Sequence, residues 1–138
     1  MTFGKSIELF LINGTTDGIV TAELSNWNGK AIKLPRTELL TCNRDDICGT
    51  GIYFLFCQEE DGTDSVYIGE AENVRDRLAK HIRDYKSGKE KYYWNTVIIF
   101  VGRDLNKTLI CYLENRLAEI AKECGRYAIL TKKHAKIL

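Results

Sequence analysis

Five side chains in this sequence have types and spacings that fit acid–base and phosphate chemistry. Tyr53 and Tyr67 fall in two short apolar runs, Arg77 and His81 are four residues apart, and Glu114 lies in a later apolar stretch. Phenols and imidazoles can carry protons, a guanidinium binds anionic oxygens, and a carboxylate can hold a cation. The set can act together only if the fold brings these groups to one place.

The two tyrosines lie in "GIYFLFC" (51–57) and "SVYIG" (65–69), and the Asp-Gly between the two runs predicts a turn and an antiparallel hairpin. Their hydroxyls converge if both side chains point to the same face. Because a free phenol has a pKa near 10, only about one in a thousand is ionised at neutral pH. A phenol therefore needs a nearby cation before it can serve as a base.

Two helices are predicted to carry the charged candidates. The first spans about 73–86, begins at Asn73 as its cap, and places Arg77 and His81 one turn apart on one flank of its apolar stripe. The second spans about 107–124 and has Glu114 inside its apolar arc. An unpaired buried charge costs several kcal/mol. A positive group should therefore face Glu114, either in a structural salt bridge with Arg77 or another base, or as part of a metal or catalytic site.

The rest of the chain predicts an α+β protein. The first 48 residues contain three β-prone runs, "SIELFLING", "IVTAEL" and "KAIKLP", and a further apolar strand is predicted at 96–102. "IYFLFC" is apolar without alternation, which predicts a central strand covered on both faces. We expect a β-rich extension over residues 1–48, packed on a main domain of residues 49–138.

Composition limits the class of protein. The chain has 138 residues, 44% of them hydrophobic, and a formal net charge of +1, so one ordinary domain with a real core is expected. Basic residues are concentrated between 73 and 91, which fits a basic face. The five cysteines form no CxxC pair. No apolar run approaches the ~20 residues that span a bilayer. We expect a soluble, cytoplasmic protein without a membrane partner.

These elements together resemble the GIY-YIG nuclease family over roughly residues 49–125. The matching features are "GIY" at 51–53, "YIG" at 67–69, then Arg77 and His81, and finally the glutamate of "YLEN", Glu114. Each triplet alone is a weak signal, but five elements in this order and spacing are specific. The resemblance implies a small antiparallel sheet of three strands flanked by helices, here with an N-terminal β-hairpin extension. It also implies divalent-metal-dependent hydrolysis of DNA phosphodiesters.

The resemblance implies a role for each matching residue. Glu114 is expected to be the single protein ligand of one Mg²⁺ or Mn²⁺ ion, and Arg77 to clamp the scissile phosphate. Tyr53, aided by Tyr67 or His81, is expected to take the proton of the attacking water. Which phenol is the base stays open at this point.

Two positions depart from the family pattern and keep alternatives open. Glu70 follows "YIG" where many members have a lysine, and Arg126 stands where some have an asparagine. One alternative is a catalytically degenerate domain that binds nucleic acid without cutting it, and another is a non-catalytic interaction domain. A C-terminal targeting domain beyond Leu138 is also an expectation, whereas the sequence gives no signal for an oligomeric state.

Overall fold

The structure is a computed structural model of the chain. It describes residues 7–24, 29–58, 62–90, 93–102, 105–106, 115, 117–120, 122–123, 125 and 128–130.

Within the described residues, seven strands form one sheet in the order β1-β2-β3-β6-β4-β5-β7. Neighbouring strands are antiparallel except β5 and β7, which are parallel. The strands are β1 (Ile7–Leu11), β2 (Val20–Leu24), β3 (Gly29–Pro35), β4 (Gly51–Gln58), β5 (Asp64–Ala71), β6 (Trp94–Gly102) and β7 (Ala128–Leu130).

The prediction of a three-stranded central sheet with a hairpin extension is wrong, although the α+β class is correct. The N-terminal strands continue the same sheet, because β3 pairs with β6 along its whole length, from Gly29 opposite Gly102 to Pro35 opposite Thr96. Ile32 and Leu34 of β3 are fully buried. Strand β6 lies between β3 and β4, and its residues Val97, Ile99 and Val101 belong to the main core.

Strand β4 is buried on both faces, as its sequence predicts. Tyr53, Leu55 and Cys57 belong to the main core, on the face that α2 (Val74–Lys86) covers. Ile52 belongs to a second cluster on the opposite face, against which Leu117 packs. Successive strand residues point to opposite faces, so a continuous apolar run serves two cores at once.

Helix α2 has the predicted start at Asn73, whose side-chain oxygen accepts a hydrogen bond from the Asp76 amide at 3.1 Å. It ends at Lys86, where Ser87 caps it and Gly88 takes a left-handed φ of 82°. Glycine is favoured there because it has no Cβ to clash in that conformation. The chain therefore reverses direction directly after the helix.

Two shorter helical elements join β3 to β4, the single turn α1 (Arg36–Leu39) and a 3₁₀ helix (Asp45–Cys48). The predicted helix at 107–124 lies largely outside the described residues, but 117–120 and 122–123 are helical. No helix in the described part of the chain is long and apolar enough to cross a membrane.

Candidate active site

Tyr53 and Tyr67 lie on the same face of the sheet with their rings close together. Their ring centroids are 6.2 Å apart with an interplanar angle of 25°, and His81 of α2 meets both rings edge-on. Tyr53 has no exposed surface, and Tyr67 and His81 are only 4% and 6% exposed. The structure therefore brings three of the five candidate residues into one enclosed cluster.

The glycine of "YIG" makes this arrangement possible. Gly69 lies directly opposite Tyr53 in the β4–β5 pairing. A Cβ on Gly69 would lie 2.5 Å from both the Cζ and the hydroxyl oxygen of Tyr53, closer than heavy atoms can approach. The Tyr53 ring thus occupies the space that a side chain at position 69 would need. Gly51 of "GIY" is similar, since its Cβ would lie 2.7 Å from the Phe100 carbonyl oxygen.

His81 is held at both ring nitrogens. Its Nε2 lies 2.9 Å from the Tyr53 hydroxyl oxygen, and its Nδ1 lies 2.7 Å from a carboxylate oxygen of Glu90. Glu90 is 7% exposed. Tyr53, His81 and Glu90 form a continuous line of hydrogen-bonded groups inside the protein, and we refer to them as the buried triad.

Glu90 is a residue that the sequence analysis missed. It approaches His81 because the chain turns back at Gly88, and the amides of Lys89 and Glu90 both donate to the Asp84 carbonyl, at 2.8 and 3.2 Å. The available signal was a glycine directly after a predicted helix, followed two residues later by an acid. A left-handed glycine at a helix end folds the following residues against the last turns.

The segment that carries Glu90 is fixed by Arg36 of α1. Its guanidinium lies 4.2 Å from the Tyr93 ring centroid and 4.8 Å from that of Trp94, and it donates to the Trp94 carbonyl at 3.4 Å. Burial lowers the pKa of Arg36, while the negative charge of Glu90 is among the weaker influences that raise it. The positive charge of Arg36 therefore interacts with the carboxylate of Glu90.

Arg77 faces a different space, an open groove beside α2. Its guanidinium donates to the Glu70 carbonyl at 3.5 Å, a long hydrogen bond. The groove has a volume of about 470 Å³. We call it the α2 groove; it is lined by Glu70, Ala71, Glu72, Asn73, Asp76, Arg77, Lys80 and Arg83.

The groove combines three carboxylates with three cations, so its charge is mixed. Lys80 and Arg83 are exposed, and Arg77 is half-buried at one turn before His81. A guanidinium on an open surface can form bidentate contacts with a phosphate. The α2 groove thus presents cations on an open surface, whereas the groups of the buried triad are enclosed.

Glu114 lies outside the described residues. Leu117, three residues later, packs with Ile52 on the face of the sheet opposite Tyr53. Among the described residues, no group of three or more His, Cys, Asp or Glu side chains is arranged to hold a metal.

An ion-pair network fixes the loop that precedes "GIY". Asp46 accepts hydrogen bonds from Arg44 at 2.6 and 3.1 Å and from Lys30 of β3 at 3.3 Å. Burial alone would raise the pKa of Asp46, but the hydrogen bonds and charges of Arg44 and Lys30 outweigh it and lower the pKa. The network ties the 3₁₀ helix to β3, and the nearby Gly49 carbonyl accepts the Val74 amide at 3.1 Å.

Residues 49–123 match the family model of the GIY-YIG catalytic domain. The match spans more than half of the chain, and the chain therefore belongs to the GIY-YIG family. This is a family of nucleases, generally dependent on a divalent metal, and membership implies DNA as the substrate. Comparison with curated proteins and with solved structures gave no significant match.

Proposed function

We propose that this chain is a divalent-metal-dependent DNA endonuclease that hydrolyses phosphodiester bonds. The single observation that carries the proposal is the family match over residues 49–123. The α2 groove supports it, because an arginine and two further cations line an open surface of a size that admits a phosphate backbone. In this proposal residues 49–138 form the catalytic unit and residues 1–48 an extension that supports β6.

The buried triad and the groove have separate roles in the proposal. Arg77 clamps the scissile phosphate in the groove, where its charge also opposes the negative charge that builds on the phosphorus oxygens. Tyr53 takes the proton of the attacking water after passing its own proton to His81. Tyr67 packs against the rings of Tyr53 and His81 and limits their rotation.

Both phenols are buried in this conformation, so the proposal requires that one hydroxyl gains access to water when the substrate binds. Catalytic hydrogen bonds often form or tighten only in the substrate complex. Tyr53 lies against Gly69, and the next residue, Glu70, lines the groove. In the proposal the hydroxyl gains this access past the β5 backbone at Gly69.

The metal in the proposal is one Mg²⁺ or Mn²⁺ ion held by Glu114. Carboxylate oxygens suit these hard cations, and Mg²⁺ typically takes one or two carboxylates together with waters and substrate phosphate oxygens. Glu70, Glu72 and Asp76 add carboxylates to the lining of the groove, but among the described residues no three such groups are arranged to hold a metal, so the protein ligand in the proposal is Glu114 alone. When bound, the ion would polarise a phosphate oxygen. Nothing in the buried triad is needed as a ligand.

Nicking of supercoiled plasmid DNA tests the proposed function. Wild-type protein should convert plasmid to open circles with Mg²⁺ or Mn²⁺ and not with excess EDTA. Glu114→Gln and Arg77→Ala should each slow nicking by at least about 100-fold, the lower end for loss of one electrostatic contact to the transition state.

Arg75→Ala is the matched control for Arg77→Ala, because Arg75 is on the same helix but donates to the Cys42 and Leu40 carbonyls instead of lining the groove. The control should nick at close to the wild-type rate. Nicking by Glu114→Gln at the wild-type rate, with unchanged metal dependence, would remove Glu114 as the metal ligand.

The enclosure of Tyr53 favours a second candidate function, a domain that binds nucleic acid in the α2 groove without cutting it. Salt-sensitive DNA binding that depends on Arg77, together with no nicking across both metals and across plasmid, duplex and branched DNA, would establish this alternative.

A further inference from the structure

The strongest unassigned feature is the carboxylate of Glu90 behind His81. We propose that Glu90 is a positioning residue of the active site, which holds the His81 imidazole with Nε2 directed at the Tyr53 hydroxyl so that His81 can accept the phenol proton. This inference rests on the proposed nuclease function. It adds a residue that acts through His81 and touches neither DNA nor metal.

In the proposal Glu90 is ionised and His81 is neutral, and these two states set the direction of each hydrogen bond. An ionised carboxylate only accepts hydrogen bonds, so the 2.7 Å contact with Glu90 requires the proton of a neutral His81 to be on Nδ1. The other nitrogen, Nε2, then has a free lone pair at 2.9 Å from the Tyr53 hydroxyl oxygen. Without Glu90, His81 could carry its proton on Nε2 instead, and it would donate to Tyr53 rather than accept.

The proton transfers balance in this arrangement. The O–H bond of Tyr53 breaks and an N–H bond forms at His81 Nε2, which leaves a phenolate and an imidazolium. The phenolate then takes a proton from the attacking water. At the same time the water oxygen bonds to phosphorus and the ester P–O bond breaks. The leaving oxygen gains a proton from solvent. When the product departs, Tyr53 releases its proton to solvent and recovers the first one from His81.

The charges around His81 support a transient imidazolium. The Glu90 carboxyl is in direct contact with His81, while the groups that face His81 from β4 and β5 are the phenols of Tyr53 and Tyr67. The positive charge of Arg36 interacts with the Glu90 carboxylate, and packing among aromatic rings fixes the position of this guanidinium. An imidazolium next to a buried carboxylate is stabilised more than it would be beside a neutral group.

The first test uses the wild-type protein alone. The chain has two histidines. Protein labelled with ¹⁵N-histidine should therefore give two imidazole patterns, and His134→Gln assigns them. At neutral pH we expect His81 to be protonated at Nδ1 and bare at Nε2. The opposite tautomer would overturn the proposal without any variant of Glu90.

The second test measures single-turnover plasmid nicking with Mn²⁺. Glu90→Gln is nearly isosteric but removes the charge, and we expect the rate at saturating protein to fall about 10- to 100-fold, the range for losing the partner that orients a functional histidine. The protein concentration that gives half the maximal rate should not change. Glu8→Gln makes the same chemical change at an exposed site on β1 and should nick like wild type.

A double-mutant cycle separates positioning from a purely structural role. In a His81→Gln background, Glu90→Gln should cause no further loss of nicking rate, because Glu90 acts only through the imidazole. A full additional loss in that background, or a wild-type rate for folded Glu90→Gln, would overturn the proposal. If the wild-type protein nicks no DNA at all, the proposed function fails, and the NMR measurement still decides whether Glu90 holds His81.

Discussion

The buried triad and the α2 groove are built on the same helix but differ in burial and in hydrogen bonding. The triad residues are at most 7% exposed, and hydrogen-bond distances of 2.9 and 2.7 Å join them. In the groove, Lys80 and Arg83 are exposed, and Arg77 makes a 3.5 Å contact with a backbone carbonyl. Positions 77 and 81 are only one helical turn apart, yet Arg77 faces an open groove and His81 faces the closed core.

The difference indicates how the two halves of the site can be prepared for catalysis. Rings held by packing and short hydrogen bonds keep their orientation without substrate, which reduces the reorganisation needed in the reaction. Exposed cations can adapt to a phosphate when it arrives, and their net effect is screened by salt. Changes in the triad should therefore alter stability and rate together, whereas changes of the exposed groove cations Lys80 and Arg83 should alter binding and its salt dependence.

The largest effect is expected for Tyr53→Phe. Loss of the hydroxyl removes the proposed base and leaves His81 Nε2 without this buried partner, so nicking should fall by about 10² to 10⁴. The free energy of unfolding should fall by about 1–3 kcal/mol. Single-turnover nicking and urea unfolding measure the two effects.

Tyr85→Phe is the matched control, because Tyr85 is a partly exposed phenol on α2 whose ring meets Tyr93 edge-on, outside the triad. A Tyr53→Phe protein that nicks as fast as this control would show that the enclosed phenol has no chemical role. Tyr67→Phe in the same series identifies which phenol matters more.

Gly69→Ala should give the next largest effect. The new Cβ would lie 2.5 Å from the Tyr53 hydroxyl oxygen. Overpacking of this kind typically costs about 1–3 kcal/mol. Because the ring must move away from its present position, nicking should also fall. Thermal unfolding and nicking rates report both changes.

Gly49→Ala serves as the comparison, since a Cβ at Gly49 would meet no atom within 4 Å. Equal stability of the two alanine variants would contradict the close approach of Tyr53 to the β5 backbone.

Asp46→Asn tests a carboxylate outside both regions, which is paired with the partly exposed cations Arg44 and Lys30. We expect a loss of about 1 kcal/mol or less at pH 7, as for partly exposed ion pairs. The pKa of Asp46 is lowered in the folded protein, so its charge stabilises the fold above the ordinary value of 3.8. This stabilisation is lost as the pH falls from 3.8 through the lower pKa that Asp46 has in the folded protein.

Urea unfolding of wild type and Asp46→Asn between pH 7 and pH 3 measures this dependence. The two stability curves should converge at the acidic end. A difference that stays constant across the range would mean that Asp46 contributes through packing and not through its charge.

The smallest effect is expected for Lys80→Ala in the groove. Loss of one phosphate contact should reduce the slope of log K against log salt by about one and weaken DNA binding roughly threefold at low salt. Stability should not change. Lys33→Ala, an exposed lysine on β3, is the charge-matched control. Equal slopes for the two variants would place the DNA elsewhere on the protein.

Local elements of the fold could be predicted because their signals are local. The Asp-Gly turn between β4 and β5, the Asn73 cap and the apolar stripe of α2 are all contained within short windows of sequence. The extent of the sheet could not be predicted in the same way. The run that forms β3 is typical of a strand, but no short-range pattern indicates that it pairs with β6, more than sixty residues later.

The same distinction applies to the candidate site. Tyr53, Tyr67 and His81 could be selected from residue type and spacing, and the structure brings them together. Glu90 could not, because its contact with His81 depends on the backward turn at Gly88 and on the anchoring of the following segment by Arg36. Charge alone gives Glu90 no more weight than the other acids between 70 and 90.

The close approach of the Tyr53 ring to the bare backbone of Gly69 has a consequence for how such motifs are interpreted. The glycines of "GIY" and "YIG" both allow close packing. Gly69 leaves room for the Tyr53 ring, and Gly51 leaves room for the Phe100 carbonyl oxygen. A family member without nuclease activity could therefore keep both triplets, because the packing of Tyr53 against Gly69 contributes to stability. The two triplets therefore indicate the fold. The charged residues that line the α2 groove are the better indicator of whether catalytic activity has been lost or gained.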